Sequence, residues 1–594
     1  MTNLNNKISK ILIEFNTENQ KTAFIKMQKI YEMKPYDIEI NKIYGKMAVK
    51  LNEKNIAIQS FKYILSKIPN DKEILKIYYQ LLITLNKFDE ALNYIDKLLK
   101  IEKDNFKAIK DKAFIFYNLK KFKSARKYID LAIEIDSEDY FAQNIKGLIH
   151  LKENNFKDAI PYFKKAIKLN KYYLDSYNNL GVCFFELDNI LSAFSCFKKA
   201  YRINQKNPLT LNNLGNVLSL IYKNELALIY YKKALSINPN YGELLTNLSM
   251  CYMRMNDVKN ANLYFKKSIA MNSNDSELKY AYSTFQLNIG NLDLGWMYYD
   301  SRFYKRKNHK SIKNFNLVKN KLTNTESIDF KKNTLILREQ GLGDEIVFSS
   351  IYPDIIKNFN SVKIESDKRL INIFKNSFNK DIFYPEGLFS WNEKKLNEFD
   401  QIFYIGSLAK FFRKSEAEIP GLPYLIANKE KIKSINGKLE QSKQILRVGI
   451  SWKSKDNILG NLKSLSISDF IPLFKKNRSI INLQYGDIRK DLDKIKFYKK
   501  NIILLKDVDI FNDLDSCIAL LKNLNFFITT DNSTAHMAGA LGVKTILLRP
   551  AKSSAHFYWK PKDGFSIWYK SVKVIDIKES VSKVINAIDK IISK

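Results

Sequence analysis

The residues best suited to chemistry lie in one stretch, FFITTDNSTAHMAGALGVKTILL, at positions 526–548. Its apolar start predicts a strand, and its alanine spacing predicts a helix that ends near Gly542. Asp531 and Asn532 are good N-cap residues, and Ser533 and Thr534 add hydroxyl groups in the first turn. A helix that begins after a parallel strand is where an α/β sheet binds an anion, usually phosphate. His536 would face such a ligand, although an ordinary capped helix explains the pattern equally well.

A second turn of the same kind follows Thr334–Leu337, in the segment TLILREQGLGDEIVFSS. Gly341 and Gly343 would allow a ligand to approach the backbone closely at the end of this strand. Asp344 opens the next helix, where it would either cap the helix or act as a general base on an acceptor hydroxyl. A capping role is the commoner explanation for an aspartate at such a position.

The first half of the chain, which precedes both turns, is a repeat. Alanines recur every 34 residues without an insertion, at Ala23, Ala57, Ala91, Ala125, Ala159, Ala193, Ala227 and Ala261. Glycines recur at positions where two helices would pack closely, at Gly45, Gly147, Gly181 and Gly215. The pattern resembles the tetratricopeptide repeat, which implies stacked helix pairs with a concave surface for protein or peptide partners. A ninth unit begins at Ser276 and carries Gly295 and Trp296.

Three asparagines share one position of the repeat: Asn179, Asn213 and Asn247. An amide donates to and accepts from a peptide backbone at once, so a row of them would bind a chain without reading its sequence. The row is similar to the peptide-binding ladder of O-GlcNAc transferase. Asn is also abundant in this chain, and we favour the interpretation that the three are helix-surface residues.

Beyond Arg302 the periodicity ends, and strands alternate with helices. The predicted strands are Thr334–Leu337, Val362–Glu365, Asp381–Tyr384, Gln401–Ile405, Ile445–Ser451, Ile480–Leu483, Ile502–Leu505, Phe526–Ile528 and Val543–Leu548. The fold class is therefore a multidomain α + α/β chain. Its predicted parts are an α-solenoid (4–305), a linker (306–332), an α/β half (333–427), a connector (428–443) and a second α/β half (444–594).

Four motifs carry a more specific resemblance. They are EQGLGD at 339–344, SWKS at 451–454, LQYGD at 483–487 and TTDNSTAHMAGALG at 529–542. In this order they resemble the bacterial heptosyltransferase family, in particular its branch with N-terminal tetratricopeptide repeats. Two small Rossmann-like halves that face a cleft look like the GT-B glycosyltransferase fold. The similarity spans about 334–574.

The resemblance implies a sugar transferase that uses a nucleotide-diphosphate sugar as co-substrate and needs no other cofactor. It implies that the donor contacts Gly341, Gly343, Gln484, Asp531, Asn532, Ser533, Thr534 and one basic residue, Lys453 or, by preference, Lys463. Asp344 would be the base and His536 a second catalytic residue, in an inverting and metal-independent transfer. Asn532 departs from the family, which more often has Thr there.

A departure from the family points to a protein as the acceptor rather than a lipid-linked core sugar. The first α/β half is short for an acceptor domain, so the repeats would take over acceptor binding, for example of a flagellin or another surface protein. The alternative is a non-catalytic repeat scaffold with a degenerate transferase module.

Charge and composition narrow the alternatives. The formal net charge is +36, but only twelve of the 98 basic residues are Arg and Lys is spread over every segment. This distribution argues against specific nucleic-acid binding and leaves peripheral contact with anionic membranes open. With no membrane-spanning run, no secretory signal and four scattered cysteines, we expect a cytoplasmic protein. Asp507 and Asp509 fit capping better than a metal, and no role is assigned to His150, His309 or His556.

Overall fold

The computed structural model describes residues 2–17, 19–304, 315–339, 341–440, 446–454, 463–505, 507–550, 556–577 and 580–593. The chain divides into two compact units, Met1–Pro239 and Asn240–Lys594. The first unit is helical. The second begins with further helical repeats and also holds both β-sheets.

Helices of the first unit pack in sequential pairs. Those described are α1 (Thr2–Thr17), α2 (Gln20–Met33), α3 (Ile38–Lys50), α4 (Lys54–Lys67), α5 (Lys72–Thr84), α6 (Phe88–Ile101), α7 (Phe106–Asn118), α8 (Phe122–Ile135), α9 (Tyr140–Lys152), α10 (Phe156–Leu169), α11 (Leu174–Glu186), α12 (Ile190–Ile203), α13 (Pro208–Leu220) and α14 (Asn224–Ile237). The first helix of most pairs is capped by a side chain, as where Asp37 accepts from the N–H of Ile40 at 3.0 Å.

Packing explains the 34-residue pattern. All eight repeat alanines are fully buried. The predicted close approach at the glycines is confirmed: a Cβ on Gly147 or Gly181 would lie 2.7 or 2.5 Å from the ring of Phe163 or Phe197. Seven of the turns between paired helices contain a left-handed residue with φ between 57° and 62°, namely Asn52, Asn86, Lys120, Asn154, Asp188, Tyr222 and Asn256.

The second unit opens with two more helix pairs, α15 (Gly242–Arg254) with α16 (Val258–Met271) and α17 (Ser276–Ile289) with α18 (Leu292–Tyr299). The pair α17–α18, with the 3₁₀ helix Asp300–Tyr304 that continues it, is called the last repeat below. It is the ninth unit that the sequence predicts. Its Gly295 packs on Leu287, and Trp296 is buried.

The first sheet has four parallel strands in the order β3-β2-β1-β4. They are β1 (Asn333–Leu337), β2 (Ser361–Ser366), β3 (Phe383–Pro385) and β4 (Gln401–Tyr404). The α-helices around it are α19 (Phe315–Val318), α20 (Leu342–Phe348), α21 (Tyr352–Asn358), α22 (Ile371–Phe378), α23 (Glu393–Leu396) and α24 (Ala409–Phe412).

The second sheet has the order β10-β11-β12-β9-β8-β5-β6-β7, parallel from β12 to β7 with an antiparallel hairpin at one edge. Its strands are β5 (Leu446–Ser451), β6 (Arg478–Asn482), β7 (Ile502–Ile503), β8 (Phe526–Thr529), β9 (Thr545–Pro550), β10 (Pro561–Lys562), β11 (Phe565–Ser566) and β12 (Val572–Ile577). Its α-helices are α25 (Lys429–Glu440), α26 (Arg489–Asp493), α27 (Leu514–Lys522), α28 (Ser533–Ala540) and α29 (Val581–Ser593). The other 3₁₀ helices described are Thr325–Ser327, Ser349–Ile351, Ile405–Leu408, Glu416–Glu418, Ile467–Leu473, Lys496–Asn501 and Phe557–Trp559.

The predicted linker and connector contain more structure than the sequence indicates. In the linker, residues 306–314 lie outside the described residues, but Val318 is buried and the N–H of Thr323 donates to the carbonyl of Ile402 in β4 at 3.0 Å. In the connector, α25 buries Ile435 and Leu439, and its last residues, 441–443, are likewise not described. Ile435 and Leu439 are four positions apart, as on one face of a helix, but the polar residues and the glycine between them obscure this spacing in the sequence.

Candidate functional site

The predicted strand-to-helix turn at 529–533 is present, and Asn532 is its N-cap. The side-chain oxygen of Asn532 accepts from the N–H of Ala535 at 3.0 Å, and its amide nitrogen donates to Ser451 and Thr529 at 2.9 and 3.1 Å. The amide therefore joins the ends of β5 and β8 to the start of α28. In the described part of the chain, the N–H groups of Ser533 and Thr534 have no acceptor, as is usual for the first turn of a helix.

Asp531, the other candidate N-cap, has a different role. Its carboxylate forms an ion pair with Lys463 at 2.9 Å and accepts from the indole N–H of Trp559 at 2.8 Å. Burial alone would raise the pKa of Asp531, but the charges of His556 and Lys463 hold it at about 2. A carboxylate repels phosphate, so Asp531 can only act on an anion through Lys463. Nζ of Lys463 also lies 3.0 Å from Nε2 of His556.

His536 lies in an aromatic enclosure. Its ring stacks on Trp559 with 4.4 Å between centroids and meets the edge of Tyr558 at 4.7 Å, and Nδ1 is 3.1 Å from the hydroxyl of Tyr569. Burial lowers the pKa of His536 to about 3, although Asp531 opposes this shift. The imidazole is therefore neutral at pH 7. It can offer a hydrogen bond to a ligand but not a positive charge.

Gly343 brings the two α/β halves together at this point. A Cβ on Gly343 would lie 2.9 Å from Cδ2 of His536, so only a glycine fits against the ring. The close approach predicted from the glycine is thus present, but the approaching group belongs to the protein. Gly341 is the N-cap of α20 and has ordinary space around its Cα.

Asp344 lies at the third position of α20 and is partly exposed. Its carboxylate accepts from the N–H of Gly341 at 3.2 Å, which is the predicted capping role, and it lies 3.5 Å from the hydroxyl of Tyr558. Burial raises the pKa of Asp344, while His556 and the Gly341 N–H oppose the rise. A raised pKa suits a general base, because proton transfer is most effective when the base titrates near the working pH.

The remaining predicted donor residues are bound to the protein itself. Lys453 forms an ion pair with Asp491 of α26 at 2.6 Å. The side-chain oxygen of Gln484 accepts from the hydroxyl of Ser451 and from the N–H groups of Trp452 and Lys453, at 2.7–3.1 Å. Gln484 thereby ties the end of β6 to the end of β5.

A cavity of about 250 Å³ opens beside Gln484, at the carboxyl ends of β6 and β7. Tyr485 and Phe511 form part of its wall, with 5.9 Å between their ring centroids. Arg369, from the loop after β2 in the first α/β half, donates to the carbonyl of Phe511 at 3.0 Å. This contact links the cavity wall to the first α/β half.

The three repeat asparagines differ in their surroundings. Asn179 is half-buried and donates to Asn144 of the preceding repeat at 3.1 Å. Asn213 is buried, and its side-chain nitrogen has no partner among the described residues. Asn247, in the second unit, is half-buried. The Asn179 bond shows that at least one of the three ties neighbouring repeats together.

Sequence reasoning missed the aromatic residues that surround His536. Tyr558, Trp559 and Tyr569 lie outside the four motifs that carry the family resemblance. They contact His536 from 22 to 33 positions along the chain, and no local spacing reports such contacts. His556, given no role, lies 3.9 Å from the Asp531 carboxylate.

Two features are absent from the part of the chain that the structure describes. No group of three or more His, Cys, Asp or Glu side chains is arranged there to hold a metal ion. In the same residues, no helix has both the length and the apolar character needed to cross a membrane.

Comparison with known proteins defines the class of the helical part. Residues 146–208 match one tetratricopeptide-repeat family model, and residues 210–241 and 242–275 match another. These matches confirm the predicted repeats and the helical solenoid.

Among individual proteins, the chain is similar to Protein FlbA of Caulobacter vibrioides, with 25% identity over 322 residues. The match covers 50% of this chain and 51% of FlbA, so the chain spans about half the length of this relative. Similar solved structures include the APC/C hetero-tetramer Cut9-Hcn1 (17% identity, TM-score 0.37, 47% of this chain and 54% of that chain). Another is a tetratricopeptide repeat protein from Parabacteroides merdae (16% identity, TM-score 0.37, 42% and 98%).

Proposed function

We propose that this chain binds a protein partner through its repeats and transfers a sugar to it from a nucleotide-diphosphate donor at the site of Asp344 and α28. One observation carries the proposal. Asp344 and the start of α28 converge at the carboxyl ends of two separate parallel sheets, which is where α/β proteins bind ligands and perform chemistry.

The donor would bind on the side of the second sheet. The N–H groups of Ser533 and Thr534 offer an anion-binding helix start, and the neutral His536 adds a hydrogen-bonding group beside it. The cavity beside Tyr485 and Phe511 offers aromatic walls for a nucleoside base. Lys463 is a cation beside this helix start, since it pairs with Asp531 immediately before α28.

The transfer would be a single displacement. The hydroxyl oxygen of the acceptor attacks the anomeric carbon of the donor, while Asp344 takes up the hydroxyl proton. The bond between that carbon and the diphosphate oxygen breaks, and the nucleoside diphosphate leaves with the bonding electron pair. Configuration inverts because one bond is exchanged in one step. The raised pKa of Asp344 suits this proton transfer.

A non-catalytic scaffold is the second candidate, and the comparisons favour it, because the matched family models cover repeats alone. The ion pairs favour it as well. Lys453 and Lys463, the cations predicted for donor phosphates, are held by Asp491 and Asp531. In this case the repeats bind a partner and the α/β part only stabilises the array.

Ligand-induced stabilisation separates the two candidates. A panel of nucleotide-diphosphate sugars is tested for thermal stabilisation of the full chain; a donor at 100 times its Kd stabilises by about 2.7 kcal/mol. The stabilising donor, labelled in its sugar, is then incubated with a lysate, and incorporation into protein is measured. We expect Asp344→Asn to keep the thermal shift and to lose about 10²–10⁴-fold in transfer.

The matched control is Asp381→Asn in the same half, whose carboxylate is 83% exposed. It should leave transfer unchanged. Full transfer by Asp344→Asn would exclude the mechanism. The absence of both a shift and incorporation, for every donor, would favour the scaffold.

A further inference from the structure

The last repeat contacts both α/β halves, and one of its side chains is fully buried against the loop that leads to Asp344. Arg302 donates to both carboxylate oxygens of Glu339 at 2.7 Å, and to the hydroxyl of Ser407 at 2.9 Å. Its exposed fraction is 3%, and that of the Glu339 side chain is 0%. Although burial opposes its charge, Glu339 and Asp300 raise the pKa of Arg302, so the guanidinium is always charged.

Glu339 links two strand ends. It follows β1 directly, precedes Asp344 by five positions, and also accepts from the N–H of Gly406 after β4 at 2.8 Å. Two parallel N–H···O bonds fix the orientation of a carboxylate more strongly than a single contact does. The guanidinium of Arg302 therefore fixes the start of the loop that leads into α20, which carries Asp344.

The same repeat also holds the segment that carries Tyr558 and Trp559. Trp296 donates from its indole to the carbonyl of Arg413 in the first half at 2.7 Å, and packs edge-on against Phe557 of the second half at 5.4 Å. Lys560 donates to the carbonyl of Ile289, at the end of α17, at 3.1 Å. Both halves of the site are thus fastened to one pair of helices.

We propose that Arg302 is the positioning residue of the Asp344 loop, and that the last repeat is a structural part of the catalytic site rather than a partner-binding repeat. The inference rests on the proposed function for the reaction it serves. Arg302 acts through Glu339, and Trp296 and Lys560 hold the Tyr558–Trp559 segment in place opposite Asp344. Burial raises the pKa of Tyr280 in α17 to about 12, and the charge of the nearby Asp344 contributes to the rise.

Amide hydrogen exchange on the full-length chain tests the positioning without any substrate. Arg302→Lys keeps the charge but loses the two-pronged geometry. We expect exchange in residues 341–348 to rise at least about tenfold, with residues 526–540 unchanged, because the loop loses its anchor and the second sheet does not. Unchanged exchange in 341–348, or an equal rise in both segments, would overturn the proposal.

A milder pair of variants covers the case in which Arg302→Lys does not fold. Lys560→Gln removes the contact with Ile289 and an ion pair with Glu416 at 2.7 Å, whereas Lys562→Gln, 67% exposed, removes only a weaker contact with Glu416 at 3.4 Å. Faster exchange in 556–560 is expected for the first variant and not for the second. Equal behaviour of the two variants contradicts the proposed link.

Kinetics supply the readout that a merely structural residue would not change. For Arg302→Lys we expect kcat to fall by about 10²-fold with the KM for the donor nearly unchanged, since a displaced base weakens the chemical step and not donor binding. An unchanged kcat would overturn the positioning role. If the wild-type chain transfers no sugar, the proposed function fails, and the exchange measurements still decide whether Arg302 holds the loop.

Discussion

The two units use charge in different ways. In the first unit, the Lys62–Glu90 pair spans 3.7 Å with side chains 53% and 43% exposed. In the second, Arg302–Glu339 and Lys463–Asp531 are buried ion pairs of 2.7 and 2.9 Å. Exposed pairs stabilise little, whereas a buried pair costs desolvation and persists only with good geometry. The exposed pair therefore adds little to the apolar packing of the repeat, whereas the two buried pairs of the second unit fix the orientation of particular groups.

Removing one partner from each kind of pair should show the largest difference in stability between the two kinds. Arg302→Met leaves Glu339 buried without its counter-charge, so the second unit should lose about 3–5 kcal/mol. Lys62→Met should cost less than about 1 kcal/mol. All five tryptophans lie in the second unit, so their fluorescence in urea reports that unit alone, and circular dichroism reports the helices of both. Similar losses for the two variants would contradict the distinction.

A pH titration compares a histidine from each unit. The folded-state pKa of His536, about 3, lies below its usual value of about 6.5. Below pH 6.5 the unfolded chain therefore binds a proton that the folded chain does not, and stability falls as the pH drops toward 3. Between pH 7.5 and 5.0, the wild type should lose about 2 kcal/mol more than His536→Gln.

His150 of the first unit is the control for this titration. It is buried and stacks on Tyr162, and burial lowers its pKa as well. His150→Gln should leave the pH dependence of tryptophan fluorescence unchanged, because the probes lie in the other unit. A parallel pH dependence of the wild type and His536→Gln would show that the pKa of His536 is not lowered by folding.

Two glycine-to-alanine substitutions have the smallest expected effect on stability. Gly437, exposed in α25, has open space where a Cβ would be, so Gly437→Ala should stabilise the second unit by about 0.5–1 kcal/mol. Gly181→Ala should have the opposite sign in the first unit, because its Cβ would lie 2.5 Å from Phe197. Urea midpoints of the two variants check the signs, and stabilisation by both would mean that the repeat glycines are not packing positions.

Sequence was most informative where contacts are local or repeated. The 34-residue alanine spacing predicted the repeats, and apolar runs predicted strands to within about two residues, as for β8 and its neighbour β9. Local propensity did not predict that Lys120 and Tyr222 adopt the left-handed conformation; the helices on either side impose it.

The site was predicted in its residue types but not in its pairings. The motifs located Asp344, Asp531 and His536, yet whether Asp531 or Asn532 caps α28 depends on Lys463 and Trp559, which are distant in sequence. Arg302 lies in the last repeat, and Glu339 lies 37 positions further along the chain, after β1. Such contacts arise from tertiary packing, which no spacing rule in a single sequence reports.

The amide of Asn532 has a thermodynamic consequence for anything that binds at the start of α28. Because it already joins β5, β8 and the helix, the first turn is preorganised. An anion that docks on the N–H groups of Ser533 and Thr534 does not have to order this backbone, so little conformational entropy is lost on binding. This backbone becomes ordered during folding, before any ligand binds. Affinity at this turn then depends mainly on how well the ligand's hydrogen bonds replace those of the water that it displaces.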